Sequence, residues 1–365
     1  MSRPDAPLGA IRTRAFKIPT DKPEADGTFA WDATTLILVE VEGGGSTGLG
    51  YTYADASVAG LIDRTLAKTV AGIDALDPPR AWTAMQIAVR NLGRSGLAAT
   101  AISALDAALW DLKAKLLGLP LALLLGRARD AVPVYGSGGF TTYTDDDLRA
   151  QLRGWVERDG CAAVKMKIGS DPGRDPHRVS VAKAAIGDAQ LFVDANGAFS
   201  AKHALAFAHR FVAQDVRWFE EPVTSDDLPG LALVRRRGPP GMDIAAGEYA
   251  FHPDDVAAML GAGAVDCQQA DLTRCGGVTG FLRVAALCDA HHVDLSGHCA
   301  PAIHLHAACA APRLRHLEWF HDHVRIEQML FDGAPIARGG TIRPDLSRLG
   351  HGLAFKSADA APFEQ

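Results

Sequence analysis

No apolar stretch in this sequence approaches the roughly 20 residues that a membrane-spanning helix needs, so a transmembrane role is not expected. Basic runs are also missing, and the formal charge is -6, which makes nucleic acid and anionic membrane surfaces poor partners. No CxxC pair occurs. The six cysteines (Cys161, Cys267, Cys275, Cys288, Cys299 and Cys309) are scattered from mid-chain onward, reading as reduced thiols rather than a disulfide framework. Met1 to Leu8 carries no charged-then-apolar signal pattern, so a cytoplasmic protein is the expectation. What is present is ordinary globular material: 365 residues, 48% hydrophobic and 22% charged, enough for a large barrel and a second domain.

The first third has its own texture. Ile11–Ile18, Thr34–Glu42 and Thr47–Tyr53 read as an antiparallel meander turned by Gly43–Gly45. Helical periodicity follows over Val58–Val70, Pro79–Asn91 and Ala98–Leu117, the last stopped by Gly118-Leu119-Pro120. From about Val132, eight short apolar strands alternate with helices: 132–135, 162–167, 191–194, 216–220, 243–246, 264–269, 293–296 and 315–319. That rhythm predicts an α/β protein with a closed (β/α) barrel of the TIM type behind an N-terminal α+β domain. A doubly wound sheet is the competitor, but Gly136-Ser137-Gly138-Gly139 is a faint echo of its phosphate turn. The expected divisions are 1–128, 129–323 and a C-terminal segment 324–365 packing back on the first domain.

Ionisable residues stand at or just past the end of each strand from the second to the eighth. They are Lys165 and Lys167, then Asp194, Glu220-Glu221, Glu248, Asp271, His298 and Glu318, spaced 20 to 28 residues apart, about one βα unit each. The carboxyl end of barrel strands is where active sites of this fold are built. Singly, each residue has a bland reading as a cap, a solvated pair or a structural histidine. Jointly, three uncompensated carboxylates on consecutive strands would cost several kcal/mol per ion. A hard divalent cation held by Asp194, Glu220 and Glu248 removes that cost, and carboxylates with waters are how Mg²⁺ is held. Strand alternation lets one of Glu220 and Glu221 point inward; Glu220 is preferred because Glu221 precedes Pro222. Zinc is disfavoured, since no HExxH occurs and His304 and His306 do not share a helix face. Lys165 and Lys167 share one strand face, and their repulsion is expected to lower a lysine pKa. His298 would approach from the opposite side, oriented by Asp271. Glu318 would donate a hydrogen bond if burial keeps it protonated.

These motifs resemble the enolase superfamily, specifically its mandelate racemase subgroup. The resemblance runs from Ile18-Pro19-Thr20-Asp21 and Gly48-Leu49-Gly50-Tyr51 through Val164-Lys165-Met166-Lys167 and Val193-Asp194-Ala195-Asn196. It continues through Phe219-Glu220-Glu221-Pro222, Ala246-Gly247-Glu248, Ala270-Asp271-Leu272-Thr273, Gly297-His298 and Leu317-Glu318-Trp319. It implies Mg²⁺ on Asp194, Glu220 and Glu248, Lys167 as one acid/base and a His298–Asp271 dyad as the other. Lys165 and Glu318 would contact the substrate carboxylate. Such enzymes remove the proton next to a carboxylate through an enediolate, and first-domain loops close over the barrel. Here those loops are Thr20–Gly27 and Tyr51–Asp55, which makes Asp21, Glu24, Tyr51, Tyr53 and, on the barrel side, Asn196 candidate substrate contacts.

The expected ligand is a small-molecule carboxylate, and the expected assembly a homo-oligomer. Polar loops favour dehydration of a sugar acid to a 2-keto-3-deoxy acid. A racemase or epimerase, or a cycloisomerase expelling a ring oxygen, is the alternative. A barrel stabilised by metal but without catalysis would be indifferent to loss of Lys167 and His298. A Cys299 nucleophile beside His298 is disfavoured, because adjacent residues at a strand end should point apart. His321 and His323, just past the eighth strand, read first as a solvated loop, with a place at the active-site mouth as the alternative.

Overall fold

The computed structural model describes residues 6–365; the extreme N-terminus, where the signal pattern was sought, lies outside them. Three antiparallel strands open the chain: β1 (Leu8–Ala25), β2 (Ala30–Gly43) and β3 (Ser46–Tyr53). The helix Leu97–Leu116 lies across this sheet. Gly48 and Gly50 permit that approach, because a Cβ on either would lie 2.1 Å and 2.3 Å from the carbonyl oxygens of Ala108 and Ala104. The segment Thr20–Gly27, expected as a loop, is largely strand. β1 continues to Ala25 with a register irregularity between Pro19 and Glu24, making a long hairpin.

Eight parallel strands follow: β4 (Val132–Gly138), β5 (Ala163–Lys167), β6 (Gln190–Asp194) and β7 (Val216–Glu220), then β8 (Asp243–Ala246), β9 (Cys267–Ala270), β10 (Asp294–Gly297) and β11 (Leu314–Phe320). They pair in chain order, and β11 returns to β4 through Leu317↔Val134 to Phe320↔Ser137, closing the barrel. The strand period of two explains its interior. Val164 and Met166 join the core under the surrounding helices, while Ala163 faces inward. Tyr135, Phe192 and Trp218 gather with Ala163, Ala245 and Cys267 in an aromatic floor, and His316 packs edge-on to Tyr135 and tilted against Trp218. Two residues further along the same strands the character inverts. Tyr135 gives way to Ser137, Ala163 to Lys165 (with Lys167 two residues beyond it), Phe192 to Asp194, Trp218 to Glu220 and His316 to Glu318. An apolar plug thus supports a buried polar layer at the carboxyl end.

The first sheet's hairpin covers this layer. Thr141 after β4 donates its backbone N–H to Ala25 and its hydroxyl to the Asp26 carbonyl. Gly27 at the hairpin turn presses on the rim: a Cβ there would meet the carbonyl oxygens of Ala195 at 2.4 Å and Ile168 at 2.6 Å. The tail also touches the first sheet, with Phe355 against Phe16 at 5.2 Å and the Gln365 N–H donating to Ala15. All six cysteines are free and buried. Among the described residues, no helix is long and apolar enough to cross a membrane.

Candidate active site

Asp194, Glu220 and Glu248 come together from β6, β7 and the turn after β8, each buried, with one oxygen apiece within 4.8 Å of the others. Glu220, preferred over Glu221 because Pro222 follows the latter, is the one that joins this triad. Glu221 falls in the turn with φ 37° and lines a groove of about 570 Å³ with Asn196, Thr224 and Tyr249. The three carboxylates sit in different fields: burial opposes the charge on Glu248, but His298 and Arg274 overcome it and hold Glu248 below the usual carboxylate range. Burial first, then the neighbouring Asp194 carboxylate, pushes Glu220 up to about 8. Glu248 Oε2 is buried without a hydrogen-bond partner. An all-oxygen donor set of three converging carboxylates, one oxygen of it buried without a hydrogen bond, fits a hard divalent cation.

Two proton-carrying groups stand at opposite ends of the triad. Lys167 Nζ donates to Asp194 Oδ2 at 2.5 Å. His298 Nε2 lies 3.3 Å from Glu248 Oε2. The other imidazole nitrogen, Nδ1, donates to Asp271 Oδ2 at 2.9 Å, so the nitrogen facing the triad is the one free to exchange a proton. Asp271 is itself fixed, accepting the Thr273 N–H at 2.7 Å and the Thr273 hydroxyl at 2.6 Å. Lys165 lies between Glu220 and Glu318, 2.8 Å from the latter.

Two electrostatic expectations are overturned. Neither lysine has a lowered pKa. Burial opposes the charge on Lys165, but Glu220, Glu318 and Asp194 together raise it; for Lys167, burial is outweighed chiefly by Asp194. Carboxylates delivered by other strands, Asp194, Glu220 and Glu318, outweigh the repulsion between the two lysines. Glu318 is not a neutral donor either. Burial favours its protonated form, but Lys165 and His298 hold it below the usual carboxylate range. It accepts from Ser137 Oγ at 2.5 Å and from the Cys299 N–H at 3.1 Å. His298 is raised: burial opposes its charge, and Cys299, Glu248, Glu318 and the bond to Asp271 outweigh that.

The candidate substrate contacts divide. Asn196 sits at the rim with φ 44°, its Oδ1 buried and unpaired. Glu24 is 1% exposed, accepts from Trp31 Nε1 at 2.8 Å and leaves Oε1 unpaired. Asp21 pairs with His321 at 3.0 Å near Glu24. Tyr53 stacks on His323 at 3.6 Å with its hydroxyl buried and unpaired. Tyr51 does not belong with them. Its ring is fully buried against Phe331 and its hydroxyl donates to Glu327 at 2.6 Å, so it joins the two halves of the molecule instead of facing a ligand.

Two neighbours, Arg274 and Trp218, are not among the residues the sequence singles out, and a third, Cys299, is placed differently from expectation. Arg274 Nε lies 3.5 Å from Asp271 and its Nη1 3.4 Å from Glu248. Trp218 Nε1 donates to Glu220 Oε2 at 2.9 Å, one inward position below it on β7. Cys299 was expected to point away from His298. It adopts φ 52° after β10 ends, and its Sγ returns to 3.4 Å from His298 Nε2.

A closed (β/α) barrel beneath an α+β cap, with acidic residues from successive strands between a lysine and a histidine, defines the enolase superfamily. This chain belongs to it, in the mandelate racemase group. Residues 12–126 match the family "Mandelate racemase / muconate lactonizing enzyme, N-terminal domain" and residues 147–360 match "Enolase C-terminal domain-like". A 3,6-anhydro-alpha-L-galactonate cycloisomerase from Streptomyces coelicolor is 34% identical over 93% of this chain and 98% of its own length. The crystal structure of a mandelate racemase/muconate lactonizing enzyme-like protein from Rubrobacter xylanophilus is 51% identical, with TM-score 0.95, covering 97% and 99% of the two chains. An L-talarate dehydratase from Polaromonas sp. JS666, solved with Mg and L-glucarate, is 29% identical with TM-score 0.87 over 99% and 97%.

Proposed function

We propose that this chain removes the α-proton of a polyhydroxylated carboxylate with Mg²⁺ and then expels the oxygen on the β-carbon. On an open-chain sugar acid that oxygen leaves as water, and the enol product becomes a 2-keto-3-deoxy acid. The observation that carries this reading is the placement of Lys167 and His298 at opposite ends of a buried acidic triad. Asp194, Glu220 and Glu248 would hold the cation. Bound Mg²⁺ supplies positive charge to a carboxylate that gains a second negative charge as its α-proton leaves.

The chain's own residues do the rest. Lys165, already beside Glu318, faces the same developing charge and stabilises it more in the transition state than in the ground state. Lys167 takes the α-proton at Nζ. Asp194 is the main group holding its charge, and a carboxylate shared with a cation holds a proton on lysine less firmly. His298, kept in one tautomer by Asp271, delivers a proton from Nε2 to the departing oxygen. The Gly27 hairpin, pressed on the rim at Ala195 and Ile168, would limit the access of water to the reacting atoms.

A second reading has its own support. The Streptomyces cycloisomerase matches nearly the full chain, and a ring oxygen on the β-carbon leaves by the same proton removal. Both readings are tested together by incubation with hexonates, hexarates, their lactones and anhydro sugar acids in the presence of Mg²⁺. A 2-keto acid assay and NMR then follow the products. A 2-keto-3-deoxy product from an open-chain acid supports dehydration, and turnover confined to cyclic acids supports cycloisomerisation. Metal binding without turnover of any acid sinks both and favours a non-catalytic barrel.

A further inference from the structure

The geometry points to a second cation site, made by His298, Cys299 and Glu318, that binds a thiophilic divalent ion such as Zn²⁺ and takes His298 out of proton transfer. The three side chains are buried and offer one nitrogen, one sulfur and one oxygen. Their separations are the argument. His298 Nε2 to Cys299 Sγ is 3.4 Å, Cys299 Sγ to Glu318 Oε2 is 3.5 Å, and His298 Nε2 to Glu318 Oε2 is 3.5 Å. Zinc takes nitrogen and oxygen at about 2.0–2.2 Å and sulfur at about 2.3 Å, and a tetrahedron of such bonds has edges of about 3.3–3.8 Å. The donors thus already form one face of a zinc tetrahedron, with the fourth vertex left for water or a substrate oxygen.

The backbone fixes this face. Cys299 and Ala300 both adopt left-handed conformations, φ 52° and 41°, which turn the thiol back toward the imidazole. The Cys299 N–H donates to Glu318 Oε2, and Asp271 holds the ring from its other nitrogen. The two cation sites differ in chemistry. The triad of Asp194, Glu220 and Glu248 is all oxygen and suits a hard ion, whereas thiolate and imidazole select zinc or cobalt. On binding, the thiol proton and the Nε2 proton both leave to solvent and the Nε2 lone pair goes to the metal, so His298 keeps only the Nδ1 proton held by Asp271 and has none to transfer at Nε2. The inhibitory consequence rests on the catalytic role proposed for His298; the site itself does not.

Co²⁺ separates the two, because thiolate ligation gives a near-ultraviolet charge-transfer band that oxygen ligands do not. The Mg²⁺-saturated full chain is titrated with Co²⁺ and then Zn²⁺, following this band and turnover in parallel, for wild type, C299S and C299A. Mg²⁺-dependent thermal shifts verify that both variants fold. We expect the band in wild type alone. Zn²⁺ should inhibit wild type in a way excess Mg²⁺ does not reverse and a chelator does. Loss of a direct ligand should raise the inhibiting Zn²⁺ concentration at least about a hundredfold, since even partners outside the ligand shell contribute 10–100-fold. No band in wild type, an equal band in the variants, or a band with undiminished turnover overturns the proposal. If no sugar acid is turned over at all, the catalytic reading fails while the band still decides the site.

Discussion

Replacing Asp271 with asparagine should disable His298 through its tautomer, with little change in packing. Asp271 Oδ1 receives two donors from Thr273, at 2.7 Å and 2.6 Å, one of them a backbone N–H that cannot turn away. In D271N the amide oxygen must stay on that side, because an NH₂ there would oppose the N–H. The amide NH₂ then faces His298 Nδ1, 2.9 Å away in the wild type, and forces that nitrogen to accept. The ring is then held neutral with its one proton on Nε2, because Nδ1 cannot be protonated against the amide NH₂; giving up the Nε2 proton would leave an imidazolate, so His298 no longer serves as an acid. Losing a hydrogen bond to a charged group costs about 1.5–3 kcal/mol, about ten- to 150-fold in rate. The wrong tautomer adds to this, as in serine protease triads, where the equivalent change costs about 10⁴ in kcat. We therefore expect kcat for 2-keto acid formation to fall about 10²–10⁴-fold, with KM and melting temperature nearly unchanged. A D271N enzyme within about threefold of wild type, correctly folded, would refute the tautomer argument.

Other perturbations probe other levels. Gly27→Ala places a methyl group 2.4 Å from the Ala195 carbonyl; the hairpin should lift, lowering kcat/KM by about tenfold or more without unfolding the barrel. Glu220→Gln removes a triad carboxylate, so Mg²⁺ should raise the melting temperature of wild type and not of the variant. Glu327, raised from 4.5 to about 8 mainly by burial, binds a proton more tightly folded than unfolded. Its contribution to stability is complete below about pH 4.5 and lost as pH rises through about 8. Glu327→Gln should thus flatten the pH dependence of melting temperature in that window, and an unchanged slope contradicts the burial argument.

The barrel was legible because strand periodicity and repeat length are written locally. The β7 and β8 boundaries match the pattern at both ends, and the others moved by a few residues. The triad was legible for the same reason: each carboxylate follows an apolar strand whose inward residues form the floor. What crosses between strands was not. The lysine pKa values were misjudged because their partners come from β6, β7 and β11. Tyr51 looked like a loop residue, but its environment is set by Glu327 and Phe331, far along the chain. Cys299 defeated the alternation rule because alternation ends with the strand at Gly297, and φ 52° reverses the next side chain. Arg274 shares its segment with Asp271, yet nothing local shows that it also reaches Glu248.

The most direct test of the central claim is α-hydrogen exchange, read by NMR in D₂O with Mg²⁺, for wild type, K167A and H298N on the best sugar acid. The account predicts solvent deuterium at the α-carbon, or in the product's enol-derived position, for wild type. K167A should lose α-proton removal, while H298N should remove the proton but fail to expel the β-oxygen. Exchange and elimination that persist in both variants, with the fold and Mg²⁺ binding intact, would contradict it.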